Sequence, residues 1–398
     1  MSQARTATAV LPVQSRPLVS ASAEAVSIPR TIWLTVAGMT LVLIGGTWDF
    51  AWHMSIGRDT MWVPPHVMVQ ISAILIGIAC VYTILTTTFS GASPTRDASL
   101  QVLGFRGPAG AFIALWGSVA MVISEPFDNW WHNAFGLDVK TFTPPHSVLF
   151  LGSFAVKLGA MAWIAGMMNR SADVLRSHLT WLFLYMGSLA VTQLSNAIIG
   201  STRPESMHSA ACYLAVALFI PLILVATGWG ATHKWGCTIA AAIYFLIGLG
   251  AEWLLPLFPA QPKLGPVYHN VTHLIPVRFP LLIIVPAFVA DLLLQNLERR
   301  SSWFKAICVG PAFLLTFLAV QWPFANFLMS PASRNWVFGT AYFAYADPAG
   351  FLYDPYKFQI AEKTLAAFLL TIAIAFVVSI VTTRLGLGWG NWMRRIRR

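Results

Sequence analysis

Apolar runs the length of a bilayer recur along almost the whole chain, and that recurrence leaves one class of fold open. A helix rises about 1.5 Å per residue, so roughly 20 consecutive apolar residues cross the hydrocarbon core. Runs of this kind occupy residues 31–50, 67–88, 109–127, 147–168, 179–199, 207–228, 236–256, 277–296, 304–326 and 363–383. The expectation is an all-α, polytopic integral membrane helical bundle with about ten transmembrane helices. Hydrophobic residues make up 57% of the chain and charged residues 10%, a balance that excludes a water-soluble domain of this size. The 17 tryptophans gather near the ends of the runs, as interfacial aromatic belts require.

Charge in the connections orients the bundle. Basic residues concentrate before the first run, at Arg96 and Arg106, at Arg170 and Arg176, at Lys234, at Arg299 and Arg300, and at the C terminus, while the alternate connections carry isolated ones. The positive-inside rule then puts both termini in the cytoplasm, which requires an even number of spans. Five basic residues lie in the last fifteen, so the formal charge of +10 points to the headgroups of the lipid bilayer and not to nucleic acid. Cys80, Cys212, Cys237 and Cys308 are scattered singly, without the spacing of a disulfide framework or a thiolate metal site. Residues 1–30 read as a disordered cytoplasmic tail, 31–168 as a duplicated helix-hairpin unit and 169–326 as further transmembrane helices. Residues 327–362 read as an aromatic extracytoplasmic lid, and 363–398 as the last helix with its basic cytoplasmic tail.

The duplication is the most specific signal in the chain. Residues 48–66 are WDFAWHMSIGRDTMWVPPH and residues 127–146 are FDNWWHNAFGLDVKTFTPPH. Asp49, Trp52, His53, Gly57 and Asp59 recur as Asp128, Trp131, His132, Gly136 and Asp138 at identical offsets, and both copies close on Pro-Pro-His. An acid and a histidine four residues apart project from one face of a helix end, and the proline pair starts the returning helix with a second histidine in its first turn. Asp49, His53 and His66 thus form one candidate three-ligand set, and Asp128, His132 and His146 form the other. Each suits copper, iron or zinc with a coordination position left open. Arg58, Asp59 and Asp138 are expected as outer partners of these sets. A lone acid-histidine pair at an interface is ordinarily a hydrogen-bonded cap, but ionisable groups at membrane depth are costly without function or partners, and here the whole set is repeated.

In the second half, His269 and His273 lie four apart in a proline-flanked connection, and Glu252 ends an apolar run, so these three are possible additional ligands. Asp291, inside the eighth run, is expected as a buried, paired acid. His208 forms a lone cluster with Glu205 and Met207.

The run Asp49-x3-His53, followed by Arg58-Asp59-Thr60 and Pro64-x-His66, resembles the metal-site signature of the C subunit of the copper-dependent membrane monooxygenases, which oxidise methane, ammonia and short hydrocarbons. The resemblance spans about residues 48–153. It implies copper at both sets, and a subunit of a monooxygenase-like complex that oxidises a small apolar or amine substrate. Other membrane subunits, an external electron donor and a bacterial cytoplasmic or intracytoplasmic membrane are implied with it. Two further readings compete. A membrane transporter or metal-handling permease would also use duplicated acid-histidine hairpins, but calls for spans interrupted near the midplane. A haem-binding cytochrome calls for histidine pairs facing one another from mid-span.

Overall fold

In the computed structural model the described residues are 27–57, 60–136, 142–263, 271–342 and 357–397. Helices α1 (Arg30–Ser55) and α2 (Pro64–Phe89) form the first hairpin. A short helix α3 (Pro94–Asp97) and a small antiparallel pair, β1 (Leu100–Val102) with β2 (Phe105–Gly107), lead into α4 (Ala109–Phe135) and α5 (Pro144–Met168), the second hairpin. Then follow α6 (Asp173–Ala197), α7 (Ala210–Gly230), α8 (Gly236–Leu254), α9 (Ile284–Asn296), α10 (Ser302–Leu328) and α11 (Leu365–Met393).

Eight of these helices are long and apolar enough to cross a membrane. The outward face of α11 shows why bilayer and not water is their solvent, because Leu369, Leu370, Ile374, Val377, Val381 and Leu385 are all exposed. Two of the ten expected runs behave differently. Residues 173–197 form a helix of 25 residues, but Arg176, His178, Gln193 and Asn196 dilute its apolar character. The run 277–296 is helical over only 13 residues, Ile284–Asn296. Its first part stays unwound because side chains from other helices take up its backbone. The N–H of Arg278 donates to Glu252 Oε1 (3.0 Å), that of Leu281 to the hydroxyl of Tyr244 (2.9 Å) and that of Leu282 to Gln321 Oε1 (3.0 Å). Irregular backbone survives at membrane depth only with such partners.

Helices α4 and α5, which carry the second copy of the motif, pack closely through glycines. Along α4 and α5, Gly110 and Gly117 face Gly159 and Gly152, so the two backbones touch. A Cβ at Gly117 would lie 2.5 Å from the carbonyl oxygen of Gly152, and one at Gly159 would lie 2.6 Å from the Gly110 oxygen. Small residues at such a seam supply the close van der Waals contact that replaces the hydrophobic effect in lipid. Across the other face of α4, Ser118 Oγ donates to the Ala73 carbonyl of α2 at 2.7 Å. Helix α4 is thereby fixed against both α2 and α5.

Gly159→Val should therefore destabilise the protein by about 1–3 kcal/mol through overpacking, whereas Gly250→Val, with no atom near its Cβ position, should leave stability nearly unchanged. Thermal unfolding of the two variants in the same lipid environment checks this, and equal shifts would contradict the seam.

Candidate metal centre

Each copy of the motif folds by the same local rules. Helix α1 ends at Ser55 and α4 at Phe135, and each is followed by a glycine with positive φ, Gly57 at 76° and Gly136 at 87°. Only glycine takes that conformation at no steric cost, which explains its recurrence at this offset. Pro64-Pro65 and Pro144-Pro145 then occupy the first two positions of α2 and α5, where a missing N–H costs nothing. His66 and His146 consequently stand third in their helices, directed back at the acid on the preceding one.

In the first copy the donors converge. One oxygen of Asp49, Oδ1, lies 3.0 Å from His66 Nε2 and 3.5 Å from His53 Nε2. Ligand atoms of the three residues all fall within 4.8 Å of one another, the one such group of three among the described residues. His66 is buried, while Asp49 and His53 are partly exposed, so the set has a protected side and an open side.

A fourth residue, which the sequence did not single out, completes this arrangement. Glu125 is buried on α4, and its Oε1 lies 3.1 Å from His66 Nδ1. Gln70 of α2 donates to the other carboxylate oxygen at 3.4 Å and to the Met121 carbonyl at 3.3 Å. A carboxylate on Nδ1 fixes the ring and presents Nε2 as the ligand atom, the outer support usual for metal-binding histidines. The signal available in the sequence was a carboxylate three residues before Asp128, on the same helix face.

The second copy differs. Asp128 is buried and reaches His132 Nε2 with Oδ2 (3.1 Å) and His146 Nε2 with Oδ1 (3.5 Å), so its two oxygens serve different imidazoles. These donors straddle the carboxylate and do not meet the convergence that the first set does. His132 also lies 3.2 Å from the Gly136 carbonyl. Asp49, His53, His66, Glu125, Asp128 and His146 nevertheless line a single cavity of about 590 Å³.

The other expected ligands lie elsewhere or outside the described residues. Arg58, Asp59, Asp138 and His269 fall outside, as do most of the tail 1–30 and residues 343–356 of the expected lid. Glu252 accepts the backbone N–H of Arg278, and His273 stacks on Tyr342 at 3.6 Å while its Nδ1 lies 3.0 Å from Thr272 Oγ1. Neither lines the cavity or joins a group of three among the described residues. Asp291 accepts from the N–H groups of Cys237 and Thr238 and from the Thr238 hydroxyl, capping the start of α8. His208 is stacked between Trp322 and Phe358, and burial lowers its pKa from the ordinary histidine value. At the cavity rim Arg203 lies 3.9 Å from Glu205, whose carboxyl is raised above the ordinary range by burial.

The donor set of two imidazole nitrogens and a carboxylate oxygen, with no thiolate, fits copper, iron or zinc. Compared with protein-family models, curated proteins and solved structures, the chain matches none.

Glu125→Gln should keep the fold but weaken metal binding at the first set by about 10- to 100-fold, the usual cost of losing such support. His273→Ala should leave it unchanged. Competition against a chelator of known affinity measures both; unaltered binding in the Glu125 variant would remove that residue from the site.

Proposed function

We propose that the chain is a membrane metalloprotein whose first histidine-carboxylate set holds copper, as a subunit of a monooxygenase-like complex acting on a small apolar or amine substrate. The observation that carries the reading is the convergence of Asp49, His53 and His66 within 4.8 Å, at the edge of a cavity with apolar walls. Copper bound there would supply dioxygen activation. The residues themselves do the positioning: Glu125 holds the Nδ1 side of His66, Asp49 offers an oxygen shared by both imidazoles, and Phe50, Phe142 and Phe150 help keep water out of the cavity. The partly exposed side of His53 leaves room for a substrate or an exogenous ligand. The second set, Asp128 with His132 and His146, would hold a separate ion after its donors draw together. Electrons would come from an external donor and the complex from other membrane subunits.

A permease is the second reading, favoured by one observation. Helix α9 is short, and the unwound segment before it lies at the level of Tyr244, near the midpoint of α8, which is the interrupted span that transporters use. Against it, the N–H groups of Arg278, Leu281 and Leu282 are consumed by Glu252, Tyr244 and Gln321, leaving them no substrate to bind.

For the membrane arrangement we propose ten spans, with α6 and α9 joining the eight apolar helices and both termini cytoplasmic. Reporter fusions at residue 60 and at the C terminus should then report opposite sides. The same side for both would overturn the arrangement.

His53→Ala and His132→Ala should each remove a separate metal equivalent and leave the helical content intact. Metal analysis of protein purified without a metal-binding tag, paired with electron paramagnetic resonance, tests this. Loss of all metal from either variant would mean one shared site, and a metal-free wild type reconstituted without effect would end the metalloprotein reading.

A further inference from the structure

The cavity has a second chemical end that the metal reading leaves unused. Helix α5 carries His146 in its first turn and Lys157 eleven residues later, so the cavity wall descends ~16 Å along this helix from one to the other. Lys157 is the fourteenth of the 25 residues of α5, at the middle of an apolar span, and is 2% exposed. That burial rules out snorkelling to the interface.

Its surroundings hold the amine in place without a counter-ion among the described residues. The ammonium donates to Gln193 Oε1 at 2.6 Å, and among the described residues no carboxylate comes within ion-pair distance of it. Gln193 cannot turn away, because its amide nitrogen is already committed to the Phe150 carbonyl (2.8 Å) and to Ser153 Oγ (2.7 Å). The amine thus donates to one neutral, immobilised partner, and among the described residues it has no further acceptor. An isolated ammonium at this depth is costly, so the amine holds its proton only when an anion joins it. The acids that share the cavity, Asp49, Glu125 and Asp128, are each held against histidines. A second cation, Arg203, lines the cavity with its side chain about half exposed, placed to attract an anion from outside.

We propose that the Lys157 end of the cavity is an anion subsite that takes the carboxylate of a single-chain apolar acid. One ammonium matches a monoanion, and a dianionic phosphate would leave a surplus charge buried. Val42, Leu43, Leu149 and Phe150 line the cavity between its two ends and receive the apolar chain. A ligand seated this way has its head at Lys157 and its tail directed toward the histidine-carboxylate sets. The subsite stands on the cavity and not on metal, so the two readings fail separately.

Calorimetric titration of metal-free protein in lipid nanodiscs with hexanoate, 1-hexanol and hexylamine tests it. Hexanoate should bind about tenfold or more tighter than hexanol, as a charge-assisted hydrogen bond at a buried site provides, and hexylamine should bind least. Lys157→Met should abolish the preference for the acid, and Gln193→Leu should reduce it, while Arg203→Gln should slow association but keep it. Helical circular dichroism identifies any variant that fails to fold, and the wild-type comparison of acid with alcohol decides the matter without a variant. Equal affinity for hexanoate and hexanol, or a preference retained in folded Lys157→Met protein, overturns the subsite.

Discussion

One imidazole ring ties the first half of the bundle together. His66, near the start of α2, meets Asp49 of α1 on one nitrogen and Glu125 of α4 on the other, so three helices depend on a single side chain. Two carboxylates and two imidazoles at the edge of an apolar bundle would be prohibitively costly apart, and their mutual placement offsets that cost. Were a metal ion held here, Asp49, His53 and Nε2 of His66 would supply its ligand atoms while Glu125 kept its place on Nδ1. Such ligands take a metal only without their protons, so acid would oppose binding.

The two copies of the motif use the same local devices and reach different geometries. Gly57 and Gly136 adopt the same positive-φ turn, and the proline pairs start α2 and α5 alike. The difference arises in the partner helices. Glu125 stands three residues before Asp128, and the matching position before Asp49 is Gly46, which lines the cavity with no atom near its Cβ position. His66 thus gains a carboxylate from the other hairpin, and Gly46 cannot return one to His146. The first copy is further held by the second half of the chain, since Ser55 Oγ accepts the N–H of Ile275 at 2.8 Å and the Ile56 carbonyl that of Lys263 at 2.9 Å.

Most of the helices, and the grouping of Asp49, His53 and His66, were legible in the sequence because both follow from periodicity. A bilayer imposes one length on every apolar run, and the repeat states its own spacing, so Asp49, His53 and His66 could be grouped before any contact was known. What was not legible depends on which helices become neighbours. Glu125 serves a hairpin other than its own and has no counterpart in the first copy. The unwinding before α9 follows from Glu252, Tyr244 and Gln321 being close enough to take its N–H groups, which an apolar run does not disclose, although Pro280 interrupts it. His273 has the i, i+4 spacing of a ligand to His269, but it packs on Tyr342, because in an irregular connection spacing along the chain does not determine direction.

Helix α4 emerges as the shared wall of both sets. Its two carboxylates, three residues apart, lie roughly 60° from each other around a helix of 3.6 residues per turn. That divergence lets Glu125 reach α2 while Asp128 reaches His146 on α5. Pro126 sits between them and removes the N–H that would have bonded to the carbonyl of residue 122, a local weakness in the helix at the level where its two acids part. The glycine seam with α5 and the Ser118 contact with α2 then fix α4 on either side of that weak point. Helix α4 thus contributes one carboxylate to each set, Glu125 beside His66 of the first hairpin and Asp128 beside His132 and His146 of its own.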